Sequence, residues 1–97
     1  MTRIRLEFLP SLAESLGVEQ VSEERLPEDG GSLKDLLNRL GSQYPLFSQI
    51  VFDVRNQKST GRAAVFLNGR TIDWASGLNT RLKTGDRLIF AQIIEGG

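Results

Sequence analysis

Leu33, Leu36, Leu37 and Leu40 recur at helical spacing inside SLKDLLNRLG, and this stripe constrains the fold more than any other stretch. Ser32 precedes it with the chemistry of an N-cap, and Asp35 follows three residues later in capping-box spacing. Gly41 is the expected end of the helix. A helix with one apolar stripe must bury that stripe against another layer.

The remaining patterns supply that layer. Ile4, Leu6 and Phe8 alternate with Arg3, Arg5 and Glu7, the period of a half-buried strand, and Pro10 stops it. SLAESLG reads as a short helical turn closed by Gly17. VEQVSEERLP reads as a second strand, with a bulge or register break expected because Val21 and Leu26 have opposite parity. Leu46, Phe47, Ile50, Val51 and Val54 fit a second, shorter helix, and NQKSTG reads as a loop. In RAAVFLNGRTI the alternation of Ala63, Val65 and Leu67 runs into Asn68-Gly69, a turn pair suited to a tight hairpin. A last strand pairs Leu88 with Phe90 on one face and Ile89 with Ala91 on the other. Strands flanking one strong helix predict an α+β domain with a mixed sheet, spanning 1–97 as a single unit. Leu36, Leu37, Leu40, Val65, Leu67, Leu88 and Phe90 are its expected core.

Composition narrows the function. A chain of 97 residues has no Cys and no His. That removes disulfides, a thiol nucleophile, the usual general base and the commonest metal ligand. The 12 basic and 12 acidic side chains cancel, so no global field favours nucleic acid or an anionic membrane. Charge is uneven along the chain, and two readings stay open: ordinary surface scatter, or a basic face around Arg62, Arg70, Arg81, Lys83 and Arg87 that docks an acidic partner. Asp53, Asp73 and Asp86 sit beside turn residues and read as local caps. Neither a signal peptide nor a membrane span is expected, and the expected location is the cytoplasm.

The remaining candidate for chemistry is IIEGG, residues 93–97. Two given positions are both glycine by chance at roughly the half-percent level, so the pair is informative without being sufficient. An α-carboxylate becomes a good electrophile when an enzyme couples it to AMP. Its chain must then thread a narrow active site, and glycine permits this because it lacks a Cβ and tolerates φ of either sign.

The opening IRLEFLPSLAESLG, the helix SLKDLLNRLGSQYP, FLNGRTI, GLNTRLKTGDRLIF and the final GG together resemble the MoaD/ThiS family of ubiquitin-like sulfur carriers, most closely the MoaD branch, the small subunit of molybdopterin synthase. The resemblance implies a β-grasp (ubiquitin-like) fold and a carrier rather than an enzyme. It implies no bound cofactor, with ATP consumed by a MoeB/ThiF-like activating enzyme of the ubiquitin-activating type. By the same resemblance Gly97 is the residue adenylated and converted to a thiocarboxylate, with Gly96 and Glu95 completing the tail. Phe8, Phe90, Ala91, Gln92, Ile93 and Ile94 would dock on that enzyme or on the large subunit of molybdopterin synthase. The family's aromatic-Pro-Pro segment is Ala91-Gln92-Ile93 here, and residues 45–61 make the chain longer than a thiamin-pathway carrier. Alternatives implied by the same tail are a modifier joined through Gly97 to target lysines, a carrier serving cysteine, tRNA-thiolation or thiamin synthesis, and a binding module with idle glycines.

Overall fold

The leucine stripe does find a sheet. The computed structural model describes residues 2–27 and 31–93. Strand β1 (Thr2–Phe8) and helix α1 (Pro10–Leu16) are followed by β2 (Val21–Leu26), α2 (Leu33–Gln43) and α3 (Pro45–Ile50). Two short strands, β3 (Phe52–Asp53) and β4 (Lys58–Ser59), form their own hairpin. Strands β5 (Ala63–Leu67), β6 (Arg70–Thr71) and β7 (Arg87–Gln92) complete the main sheet, whose order is β2-β1-β7-β5-β6. The first and last strands run parallel at its centre, with antiparallel strands on either side. This is the β-grasp arrangement: α2 lies across one face, and Leu33, Leu36, Leu37 and Leu40 are all buried against Ile4, Leu6, Val65 and Leu88.

Local chemistry explains the boundaries. Ser32 and Asp35 form the full capping box, each side chain accepting from the other's backbone N–H at 3.2 Å. Gly17 closes α1 in the left-handed region, with φ 70°. Asn68 and Gly69 both have positive φ, as a two-residue turn of the primed type requires. Asn68 also donates to Asp86 Oδ1 at 3.0 Å and accepts from the Arg87 N–H at 2.9 Å. The other Asp86 oxygen accepts from the Lys83 N–H at 2.7 Å. Thus the Asn-Gly and Gly-Asp pairs of the sequence are one structural knot, and buried Asp86 is satisfied within it.

Four expectations are corrected. β2 pairs with β1 without a bulge, from Thr2↔Leu26 to Glu7↔Val21, because Val21 simply points outward while Leu26 enters the core. The second helix stops at Ile50, and Val51 leads into the β3–β4 hairpin. Leu67 is only partly buried, packed against the core rather than inside it. Gly41 does not end α2, which runs to Gln43; Tyr44 takes an extended conformation before Pro45 and stops it there.

Gly41 has a different task. A Cβ built on it would overlap Val54 Cγ2, a stiff β-branched side chain. Gly41→Ala gains about 1 kcal/mol of helix propensity, but overpacking costs about 1–3 kcal/mol. We expect net destabilisation in the wild-type background and none, or a gain, beside Val54→Ala. Urea denaturation of the four chains in this cycle measures the coupling. Additive effects would show that Val54 does not dictate the glycine.

Candidate functional site

The candidate tail begins at the centre of the sheet. β7 is gripped by β1 on one side and β5 on the other, so the chain ahead of the tail is held in register along its whole length. The Ile93 N–H donates to the Arg62 carbonyl at 2.8 Å, one residue past the strand. Ile93 is 48% exposed, a large apolar side chain at the point of exit. Ile94, Glu95, Gly96 and Gly97 lie outside the described residues.

Phe8 and Phe90 do not lie on a docking face. They are 3% and 0% exposed and stack on each other at 4.8 Å, with Phe47 edge-on to Phe90 at 5.8 Å. The cause is parity. Even-numbered positions of β1 and β7 face the helices, so the outward face carries Glu7, Ile89 and Ala91 instead. Phe66 pairs with Ile89 and Ala64 with Ala91 across β5–β7, and all four are half-buried. Leu9 continues the alternation at 44% exposure, and Val21, opposite Glu7, is 47% exposed. The result is an apolar band across the uncovered face, ending at Ile93. Ala91 and Gln92, also expected at the interface, are half-buried at the end of β7 beside this exit. The sequence reading missed Leu9, Val21, Phe66 and Ile89. Their signal was present, as the other half of each alternation.

Glu7 interrupts this band, standing between Val21 and Ile89 in one row of the sheet, with Arg5 and Arg87 in the next row on that face. The Glu7 carboxylate accepts from Arg87 at 3.0 Å and pairs with Arg5 at 3.2 Å. Such pairs are solvated and contribute about 0–1 kcal/mol each. Of the two readings of the basic residues, the single basic face is not supported for Arg62 and Arg70. Arg62 precedes β5 while Arg70 follows it, so the strand's length, about 16 Å at 3.3 Å per residue, separates them. Asp53 and Asp73 are turn caps as expected. Hydrogen bonds from the Asn56 side chain and N–H hold the Asp53 carboxyl below its usual range, and bonds from the Ala75 N–H and the Ser76 hydroxyl do the same for Asp73. Among the described residues no carboxylate group is clustered to hold a metal, and no helix is long and apolar enough to cross a membrane.

A sheet of this order, with one helix across it and its last strand pinned at the centre, defines a ubiquitin-like protein of the β-grasp class. The family model of the ThiS family matches residues 7–97, and the chain belongs to that family. No curated protein sequence matches it. Solved structures share the fold at low identity. Small archaeal modifier protein 1 of Methanosarcina acetivorans has a TM-score of 0.74 at 22% identity, covering 100% of this chain and 98% of that one. A Pyrococcus furiosus structure assigned as molybdopterin converting factor, subunit 1, gives 0.70 at 21%, covering 97% and 100%. A chain of the BexX/CysO complex of Amycolatopsis orientalis gives 0.70 at 19%, covering 97% and 99%.

Proposed function

We propose that this chain is a cytoplasmic sulfur carrier, itself without catalytic residues, whose Gly97 is adenylated and converted to a thiocarboxylate for molybdopterin synthesis. One observation carries the reading: Glu95-Gly96-Gly97 follows, by two residues, a strand locked between two others. A pinned strand gives the tail a fixed origin, and glycine gives it a slim end. The Gly97 carboxylate attacks the α-phosphate of ATP on a MoeB/ThiF-like enzyme and releases pyrophosphate. A sulfide donor then displaces AMP from the acyl carbon, leaving one sulfur in place of one oxygen. The thiocarboxylate supplies the nucleophile, so the carrier needs no Cys. The MoaD-type motifs and the likeness to the Pyrococcus protein favour the molybdopterin branch, with the synthase large subunit as a second partner. The likeness to small archaeal modifier protein 1 favours the second reading, in which the activated Gly97 is joined to lysines of target proteins.

The test is intact mass after incubation with ATP, a sulfur source and an activating enzyme from the same genome. Exchange of one oxygen for sulfur at Gly97 is expected. A chain that no such enzyme adenylates is neither carrier nor modifier.

The apolar band is the proposed docking face for the activating enzyme, because exposed apolar groups next to a functional tail mark an interface. Ile93→Asp should weaken binding about tenfold or more, with the melting temperature nearly unchanged, since half of the side chain already meets water. Titration calorimetry and a thermal melt check the two halves. A collapsed melting temperature would make Ile93 a core residue instead.

A further inference from the structure

Residues 45–61 add α3 and the β3–β4 hairpin beside the tail exit, and neither the core nor the apolar band accounts for the charges there. The insert is firmly held. Gln57, at φ 54°, donates to Asn38 Oδ1 of α2 and to the Val54 carbonyl, both at 2.6 Å. The Thr60 hydroxyl donates to the Ile50 carbonyl at 2.6 Å. Between α3 and the hairpin lies a shallow groove of about 860 Å³, along which Arg55, Lys58 and Arg62 stand exposed. Its one carboxylate, Asp53, already accepts from the Asn56 N–H at 3.2 Å and from Asn56 Nδ2 at 2.8 Å. Among the described residues none of the three cations forms an ion pair. The groove is therefore rigid and net positive in a chain of zero net charge. It is also continuous with the exit, because Arg62 lines both the groove and the small pocket formed with Gly61, Gln92 and Ile93.

We infer that this groove is a second docking subsite, which takes an acidic loop of the activating enzyme while the tail threads the active site. The inference rests on the reading of Gly97 as the activated residue. An enzyme that swallows the tail must cover the surface around its exit, and the cations stand on that surface. Opposite charge there steers encounter and fixes orientation. A protein partner fits better than nucleic acid, because the groove's lining includes no aromatic ring on which a base could stack.

The experiment is ATP–pyrophosphate exchange with an activating enzyme from the same genome, at low and high salt. It compares the wild type, Arg55→Glu with Lys58→Glu, and a charge-matched control, Lys34→Glu with Lys83→Glu, far from the exit. All four substituted positions are exposed, and circular dichroism verifies folding. The groove pair should raise the KM for the carrier about tenfold or more at low salt, leave kcat unchanged and flatten the salt dependence, while the control stays near wild type. Equal KM values for groove pair and control overturn the subsite and leave the activation reading standing. No exchange with the wild type overturns both. If the wild type shifts bulk tRNA on a gel and the groove pair does not, with KM unchanged, the groove is an RNA surface and the inference is wrong.

Discussion

Removing Gly97 should leave a folded chain that its activating enzyme no longer adenylates. The fold should survive because the sheet's ladder around β7 is complete by Ile93, and frayed ends tolerate change. Activation should fail for a geometric reason. Ile93 is tied to Arg62, so the tail has a fixed origin and each residue adds about 3.3–3.6 Å of reach. Deleting one residue withdraws the carboxylate by that distance, and appending one pushes it past the α-phosphate. A misplacement of about 1 Å can cost about a hundredfold in rate, so a residue's length should bring exchange to background. Pyrophosphate exchange and a thermal melt on wild type, deletion and one-residue extension make the comparison. A deletion variant adenylated at the wild-type rate would remove Gly97 from its role, whatever the enzyme does with the wild type.

Much of the scaffold was legible because its signals are local. The stripe of Leu33, Leu36, Leu37 and Leu40, the capping pair Ser32 and Asp35, and the Asn68-Gly69 turn each need only a few neighbouring residues to act. Errors arose where the deciding contact is distant. Gly41 looks like a helix terminator until Val54, thirteen residues on, is seen against it. Val51 and Val54 satisfy helical spacing, yet the Phe52–Ser59 pairing claims the segment for a hairpin. Cations that are close in sequence, Arg62 and Arg70, are driven apart by the strand between them, whereas Arg55, Lys58 and Arg62 are gathered by a turn. Alternation reveals which residues share a face, and it does not reveal which face the helix will cover. The alternation rightly set Phe90 in the core and Ile89 on the other face, whereas the family resemblance alone assigned Phe8 and Phe90 to docking, and nothing in either named Ile89 or Phe66 for that role.

The burial of Phe90 yields the second large effect. Phe90→Ala should destabilise the chain by about 3–5 kcal/mol, the usual cost of deleting a buried aromatic ring. Its ring is fully buried on the central strand, stacked on Phe8 and met edge-on by Phe47, so the loss removes burial and two aromatic contacts at once. For a chain of this size each kcal/mol lowers the melting temperature by about 4–8 °C, so the melt should shift by more than ten degrees. Binding to the activating enzyme, measured well below the lowered transition, should stay close to wild type because the ring offers no surface to a partner. Ile93→Asp should give the reverse pattern, a stable chain that binds poorly. Crossing the two measurements separates core from interface. Should Phe90→Ala keep its melting temperature and lose its partner, the helix-covered face would be the docking face after all, and the parity assigned to β7 would have to be inverted.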